Sequence, residues 1–241
     1  MESIAEYFQK KEYYHVFQPI CRLPGNECMG FEALLRDRTG SSPDLLFQAA
    51  MKNKELAALD QYSFLYAVSA FFPSSVAQKN ELLFVNIFPS TIVAESFPFF
   101  IEEMVRRFSP VIGRIVLEIN ESVKEGEIWN EPVFMERIAF LRQKGFLIAL
   151  DDVGEGTMTF RKILDISPEF IKLDRYFSHE LFESERKQKV VRLLVEYCRD
   201  EAQLILEGIE QLADAACAVA LGVTYGQGYA LGKPKRLNNS G

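Results

Sequence analysis

Histidine is nearly absent from this 241-residue chain: His15 and His179 are the only two. That argues against a histidine-rich zinc or iron centre, so any resident metal would be held by oxygen, which favours Mg2+ or Mn2+. Cysteine is scarce as well. Cys21, Cys28, Cys198 and Cys217 contain no CxxC pair and read as free buried thiols in a reducing compartment. The opening residues, MESIAEYFQKKEYY, lack the apolar core of a secretory signal. No run approaches the roughly 18 uninterrupted apolar residues of a membrane span. The expectation is a cytoplasmic chain with no membrane segment. Excess basic charge is missing too. Lys plus Arg number 27 against 34 Asp plus Glu, a net charge of −7, which excludes a generally basic surface for a nucleic-acid polymer. A small anion held through metal ions stays compatible with that balance.

No Pro/Gly/Ser-rich linker and no charge block divides the sequence, which reads as a single domain over residues 1–241. What recurs is a short apolar run ending in a polar residue. The runs are HVFQPI (15–20), CMGFEALLR (28–36), ELLFVNI (81–87), RIVLEI (114–119), FLIALDD (146–152), FIKLD (170–174), QLILEG (203–208) and GVTYGQGY (222–229). Most are continuously apolar, as strands buried on both faces are. Helical patterns lie between them. One opens at Ser42-Pro43, a cap followed by Pro at the first helical position, and runs to about residue 58. Others cover 61–71, 98–108, 131–144, 178–199 and 210–221, with Gly145 and Gly222 as stops. Alternation of this kind is α/β, and eight strands in one domain fit a (β/α)8 barrel. An open doubly wound sheet fits less well, because no GxGxxG follows the first strand and the polar groups are spread over many strands.

Those polar groups are Glu32, Asn86, Glu118, Asp151, Asp152, Lys172, Asp174, Glu207 and Gln227, at or near the C-terminal ends of the runs. In a barrel such ends converge on one mouth. A lone acid after a strand is often only a helix cap or a solvated loop residue. A whole ring of them is different, since carboxylates crowded together repel unless cations neutralise them. Adjacent Asp151 and Asp152 after FLIAL, and Lys172 between Ile171 and Leu173, are costly without charged partners. Five or six oxygen ligands, one able to bridge, suit two hard cations and in-line attack on a phosphodiester.

The ordered motifs resemble the EAL domain, the cyclic-di-GMP phosphodiesterase domain of bacteria. They are Gln18-Pro19-Ile20, Glu32-Ala33-Leu34-Leu35-Arg36, Val85-Asn86-Ile87, Leu117-Glu118-Ile119-Asn120-Glu121, Asp151-Asp152-Val153-Gly154, Ile171-Lys172-Leu173-Asp174, Glu207-Gly208-Ile209-Glu210, Tyr225-Gly226-Gln227-Gly228-Tyr229 and Gly232-Lys233-Pro234. Together they span residues 18–234. The resemblance implies a TIM-like barrel whose first strand is antiparallel, and hydrolysis of cyclic di-GMP to linear pGpG with two divalent cations, Mg2+ or Mn2+. It implies Glu32, Asn86, Glu118 and Asp151 as ligands of one cation. Asp151, Asp152 and Glu207 are then ligands of the other, with Asp174 close by. Lys172 stands at the position that contacts the attacking water, and the general base is either Lys172 or Glu207. Gln18, Leu34, Arg36 and Gln227 stand at substrate-binding positions, Gln227 near the metal waters. Glu121 resembles the anchor of the loop after the Asp pair, a loop that in the family couples to a dimer interface, so a homodimer is implied.

Some positions depart from the family pattern. Its loop commonly reads Asp-Asp-Phe-Gly-Thr-Gly-Tyr-Ser-Ser, and Val153, Glu155 and Thr157 differ here. Phe88 stands where the family often has Ser, and Asn120 where it often has Thr. Two roles follow. Retention of every ligand-type residue and Lys172 points to an active phosphodiesterase. The altered loop points instead to a non-catalytic receptor for cyclic di-GMP, or for a partner protein.

Overall fold

The computed structural model describes residues 13–25, 27–38, 43–77, 80–120, 125–154 and 160–237. Eight strands close into a barrel in chain order: β1 (Tyr13–Arg22), β2 (Cys28–Asp37), β3 (Leu82–Ile87), β4 (Ile115–Asn120), β5 (Leu147–Val153), β6 (Phe170–Leu173), β7 (Gln203–Leu206) and β8 (Tyr225–Gly226). β1 is antiparallel to both β2 and β8, and every other neighbouring pair is parallel. The expected barrel with its first strand reversed is therefore what the chain forms.

The helices are α1 (Pro43–Lys52), α2 (Leu56–Phe71), α3 (Pro89–Val93), α4 (Phe97–Phe108), α5 (Pro132–Gln143), α6 (Phe160–Ile166), α7 (Arg175–Ser178), α8 (Glu185–Cys198) and α9 (Leu212–Ala220). Several differ from the sequence expectation. The helix expected over 43–58 stops at Lys52, because Lys54 takes φ +59° and the chain restarts at Leu56. The helix expected over 178–199 begins only at Glu185, as α8: α7 ends at Ser178, Glu180 takes φ +54° in the gap, and Ser184 caps α8 by accepting from Lys187 N. The short helices α3 and α6, and all of α7 but Ser178, have no counterpart among the expected helices. Ser42, the proposed cap of α1, lies outside the described residues. The thiols also differ in part: Cys21 and Cys198 are buried, but Cys28 and Cys217 are half-buried.

The barrel positions the site by simple periodicity. Ile20, Phe84, Val116, Ala149, Phe170 and Ile205 form a separate apolar cluster, one residue from each of six strands. It is a layer across the barrel interior, with Phe84 and Phe170 edge to face at 5.1 Å. Two residues further towards the mouth, the same face of each strand carries a polar group. Phe84 leads to Asn86, Val116 to Glu118, Ala149 to Asp151, Phe170 to Lys172 and Ile205 to Glu207. On the reversed β1, Ile20 leads back to Gln18, which is in register with Glu32. An apolar plug thus underlies a polar layer.

Outside that layer, His15 of β1 is buried with its Nε2 3.0 Å from Ser63 Oγ of α2. Burial first, and the Arg36 charge second, push its pKa down to about 4 from the usual 6.5. The folded value lies below the unfolded one. The stability that depends on neutral His15 is therefore complete above about pH 6.5 and declines as pH falls towards 4, by at most about 3 kcal/mol. We expect the His15→Gln variant to lose less stability than wild type between pH 7.5 and pH 5. Parallel urea melts at both pH values check this, and equal losses in the two proteins would contradict it.

Candidate active site

Lys172 is the centre of the polar layer. It is 1% exposed, yet its Nζ lies 2.7 Å from Glu118 Oε1, 2.9 Å from Glu207 Oε1, 3.0 Å from Asp151 Oδ1 and 3.4 Å from Glu32 Oε2. Burial alone would lower the ammonium's pKa. The charges of Asp151, Glu118, Glu207 and Glu32 outweigh it and hold Lys172 well above its ordinary value. One cation cannot serve four acids equally. Glu118 is pushed well up, by burial first and then by Glu32. Glu207 is also pushed well up by burial, which the Lys172 attraction does not offset. Glu32 goes the other way. Burial acts to raise it, but Lys172 and the amides of Gln227 and Asn86 prevail and keep it low.

The amides lock this ring. Asn86 donates from Nδ2 to Glu32 Oε1 at 3.0 Å and to Glu118 Oε2 at 3.2 Å. Gln227 donates from Nε2 to Glu32 Oε2 at 2.6 Å. Its own Oε1 is buried with no hydrogen-bond partner among the described residues. Gln227 is placed there by a tight crossing: its N–H donates to Leu206 O, and its carbonyl accepts from Ile209 N. The next residue must be glycine, since a Cβ on Gly228 would sit 2.1 Å from Ile209 O.

Asp151 and Asp152 are neighbours in a strand, so a regular pleat would send them to opposite faces. The structure avoids this. β5 carries an irregularity between Leu150 and Val153, and Asp152 takes φ +52°. Asp151 meets Lys172, while Asp152 Oδ2 accepts from Asn120 Nδ2 at 2.7 Å. Burial first, and then the Asp151 charge, push Asp152 up to about 7. Asp151, Asp152 and Glu207 each bring one oxygen within 4.8 Å of the others. Three clustered carboxylates, two of them driven towards neutrality for want of positive charge, are a donor set that fits hard divalent cations.

The remaining expected site residues are distributed around this centre. Asp174 stands at the head of α7, where Oδ1 accepts from Tyr176 N at 2.8 Å. It lines the mouth but is outside the three-carboxylate cluster. Gln18 donates to Gly232 O at 3.2 Å, and Arg36 Nη1 to Leu35 O at 2.8 Å. Two clefts open at the mouth and share Glu32 and Leu34. One, of about 340 Å3, runs past Arg36, Phe47 and Phe88. The other, of about 560 Å3, runs past Gln18, Asp152, Asp174, Glu207 and Gln227. Glu121, Glu155 and Thr157 lie outside the described residues. Asp60, Phe47 and the role of Asn120 as donor to Asp152 were not read from the sequence.

The chain is thus a closed (β/α)8 barrel with one reversed strand and an acidic mouth gathered on a buried lysine. The EAL domain family model matches residues 1–234, and the chain belongs to the EAL domain family. Among curated relatives it is 20% identical over 242 residues to cyclic di-GMP phosphodiesterase PdeF of Escherichia coli K12, covering 98% of this chain and 32% of PdeF. It is 27% identical over 243 residues to cyclic di-GMP phosphodiesterase PA2567 of Pseudomonas aeruginosa, covering 97% of this chain and 40% of that protein. The chain thus spans well under half the length of these relatives. Of solved structures, the EAL enzyme Bd1971 bound to cAMP and cyclic di-GMP superposes with a TM-score of 0.83 at 23% identity, over 96% of this chain and 64% of that one. No helix among the described residues is long and apolar enough to cross a membrane.

Proposed function

We propose that the chain is a single EAL domain over residues 1–241 that hydrolyses cyclic di-GMP to linear pGpG, using two divalent cations, Mg2+ or Mn2+. The observation that carries this reading is the convergence of Asp151, Asp152 and Glu207 beside the Lys172-centred ring. Glu32, Asn86, Glu118 and Asp151 would hold one cation. Asp151, Asp152 and Glu207 would hold the other, with Asp174 beside them. When bound, the cations supply an acidified water and stabilise charge developing on the phosphate.

The chain's own residues do the rest. Held protonated by its four acids, Lys172 acts as a donor that orients the attacking water. Once cations neutralise the ring, Glu207 would ionise, and from the cleft, where 15% of its side chain is exposed, it would accept that water's proton. The two clefts meeting at Glu32 and Leu34 suit a ligand with two similar halves, one on each side of the scissile bond. Gln18, Leu34 and Gln227 bound it, and Arg36 offers a planar fork to a phosphate oxygen. A cytoplasmic homodimer belongs to the same reading, and sedimentation with and without ligand would test the dimer.

The direct experiment incubates the purified chain with cyclic di-GMP and either metal and separates the products. Formation of pGpG only with metal is expected, and binding without product would replace the enzyme by a receptor. We also expect Arg36→Ala to raise KM about tenfold or more with a smaller change in kcat, as loss of a charge-assisted phosphate contact should. A collapsed kcat at unchanged KM would remove Arg36 from substrate binding.

A further inference from the structure

The turn after β3 is held from below by two acids of other elements. Asp60 of α2, 2% exposed, accepts the N–H of Phe88 at 2.8 Å. Glu125 accepts both the N–H of Ser90, at 3.2 Å, and the Ser90 hydroxyl. Phe88 follows Asn86 by two residues and immediately precedes α3. Its ring is half-buried and tilted at 59° to that of Phe47 from α1, with centroids 5.1 Å apart. Behind both rings lies a small apolar cluster of Leu35, Ala50, Leu56 and Leu59. In front of them lies the 340 Å3 cleft, with Arg36, Ser63 and Asn120 on its other walls.

Core packing alone would bury these rings fully. Here two aromatic rings are left open to a cleft that also carries a guanidinium, a hydroxyl and an amide. Flat apolar surface beside hydrogen-bonding edges and a cation is the chemistry that receives a nucleobase and its phosphate. We propose that Phe88, buttressed by Phe47 and held in place by Asp60, is the stacking surface for one purine base of the substrate. This rests on the cyclic di-GMP reading above. Asp60 is then a positioning residue, acting through the backbone of Phe88 and never touching the ligand. Burial first, and the Glu125 charge in addition, push the Asp60 carboxyl up to about 7. Asn, which keeps the accepting oxygen without charge, is therefore a close substitute for it.

The test is equilibrium binding of cyclic di-GMP in the presence of a chelator, so that no turnover intervenes. Loss of a base stack should weaken Kd about tenfold or more in Phe88→Ser, while Phe88→Trp stays within about threefold of wild type. Asp60→Asn should bind like wild type, and Asp60→Ala like Phe88→Ser. Adding Phe88→Ser to Asp60→Ala should then cost little more, because both act on one ring. Wild-type affinity in Phe88→Ser would overturn the inference and leave the function intact. Failure of the wild type itself to bind cyclic di-GMP, with or without metal, would overturn the function. If Asp60→Ala does not fold, Phe88→Ser and Asp60→Asn still decide the matter.

Discussion

Replacing Lys172 by Met is expected to lower turnover about 10²–10⁴-fold and to make the metal-free protein less stable by about 3–5 kcal/mol. The side chain is fully buried, and Met matches its length, so packing changes little. What changes is charge. Glu118, Asp151, Glu207 and Glu32 all lie within 3.4 Å of the ammonium, and Met leaves them facing one another with no cation. Breaking a buried ion pair by removing one partner has that cost because the remaining charge is stranded. A competing effect softens it. Glu118 and Glu207 are already pushed well up, so in the variant they take on protons instead of staying ionised. Acids whose folded pKa is raised bind protons more tightly folded than unfolded. The variant's deficit should therefore be larger at pH 8 than at pH 5.5. Divalent metal should restore stability in the variant by a wider margin than in wild type, since it supplies the missing charge. Thermal melts at two pH values, with and without Mg2+, check both statements. A variant as stable as wild type in chelator would show that the ring needs no central cation.

Why so much of the site was legible follows from the way the barrel is filled. Each parallel strand is buried on both faces and shows as an unbroken apolar run, and the first polar residue after the run marks the mouth. Asn86, Glu118, Asp151, Lys172 and Glu207 are all two residues beyond a member of the apolar layer. The rule of two reads them off once the layer is known. It fails at Asp152, which strict alternation would send to the opposite face from Asp151. A left-handed residue and a strand irregularity turn it round, and no residue in FLIALDDV signals that. The helices were less legible where they break without glycine or proline. Asn53, Lys54 and Glu55 separate α1 from α2 with ordinary polar residues, the break being made by backbone conformation and the Glu55 N–H turning back to Ala50 O. Helix α6 has only seven residues, too short for a period of 3.6 to declare itself. Asp60 escaped for another reason. Within ELAALDQYSF it is one acid on a helix, and its partner, the N–H of Phe88, carries no side-chain signature at all.

The second large effect is expected at Glu32, where the kind of substitution decides what is learned. A metal ligand at a barrel mouth should contribute little to the core, and on that ground Glu32→Ala would be a clean probe. The geometry says otherwise. Glu32 accepts from Asn86 and Gln227 and lies 3.4 Å from Lys172, and those contacts keep it ionised in spite of burial. Alanine would take from the buried Gln227 amide its acceptor and from the half-buried Asn86 amide one of its two, leaving it Glu118 alone. Each such loss costs about 1–3 kcal/mol, more than the relief of repulsion towards Glu118 and Glu207 is expected to return. Glu32→Gln keeps one accepting oxygen and the shape, and removes only the charge. Its amide nitrogen must take the place of one accepting oxygen and so face a donor, and the orphan Oε1 of Gln227 offers that nitrogen an acceptor if the Gln227 amide turns over. We therefore expect Glu32→Gln to melt close to wild type in chelator, within about 1 kcal/mol, and Glu32→Ala to melt clearly lower. Both should lose about 10²-fold or more in turnover, because replacing a charged ligand weakens the metal site that the reaction depends on. The metal-induced rise in melting temperature should shrink in both. Full turnover in Glu32→Gln would mean that the carboxylate is a structural acceptor for Asn86 and Gln227, and that the cations are held by Asp151, Asp152 and Glu207 without it.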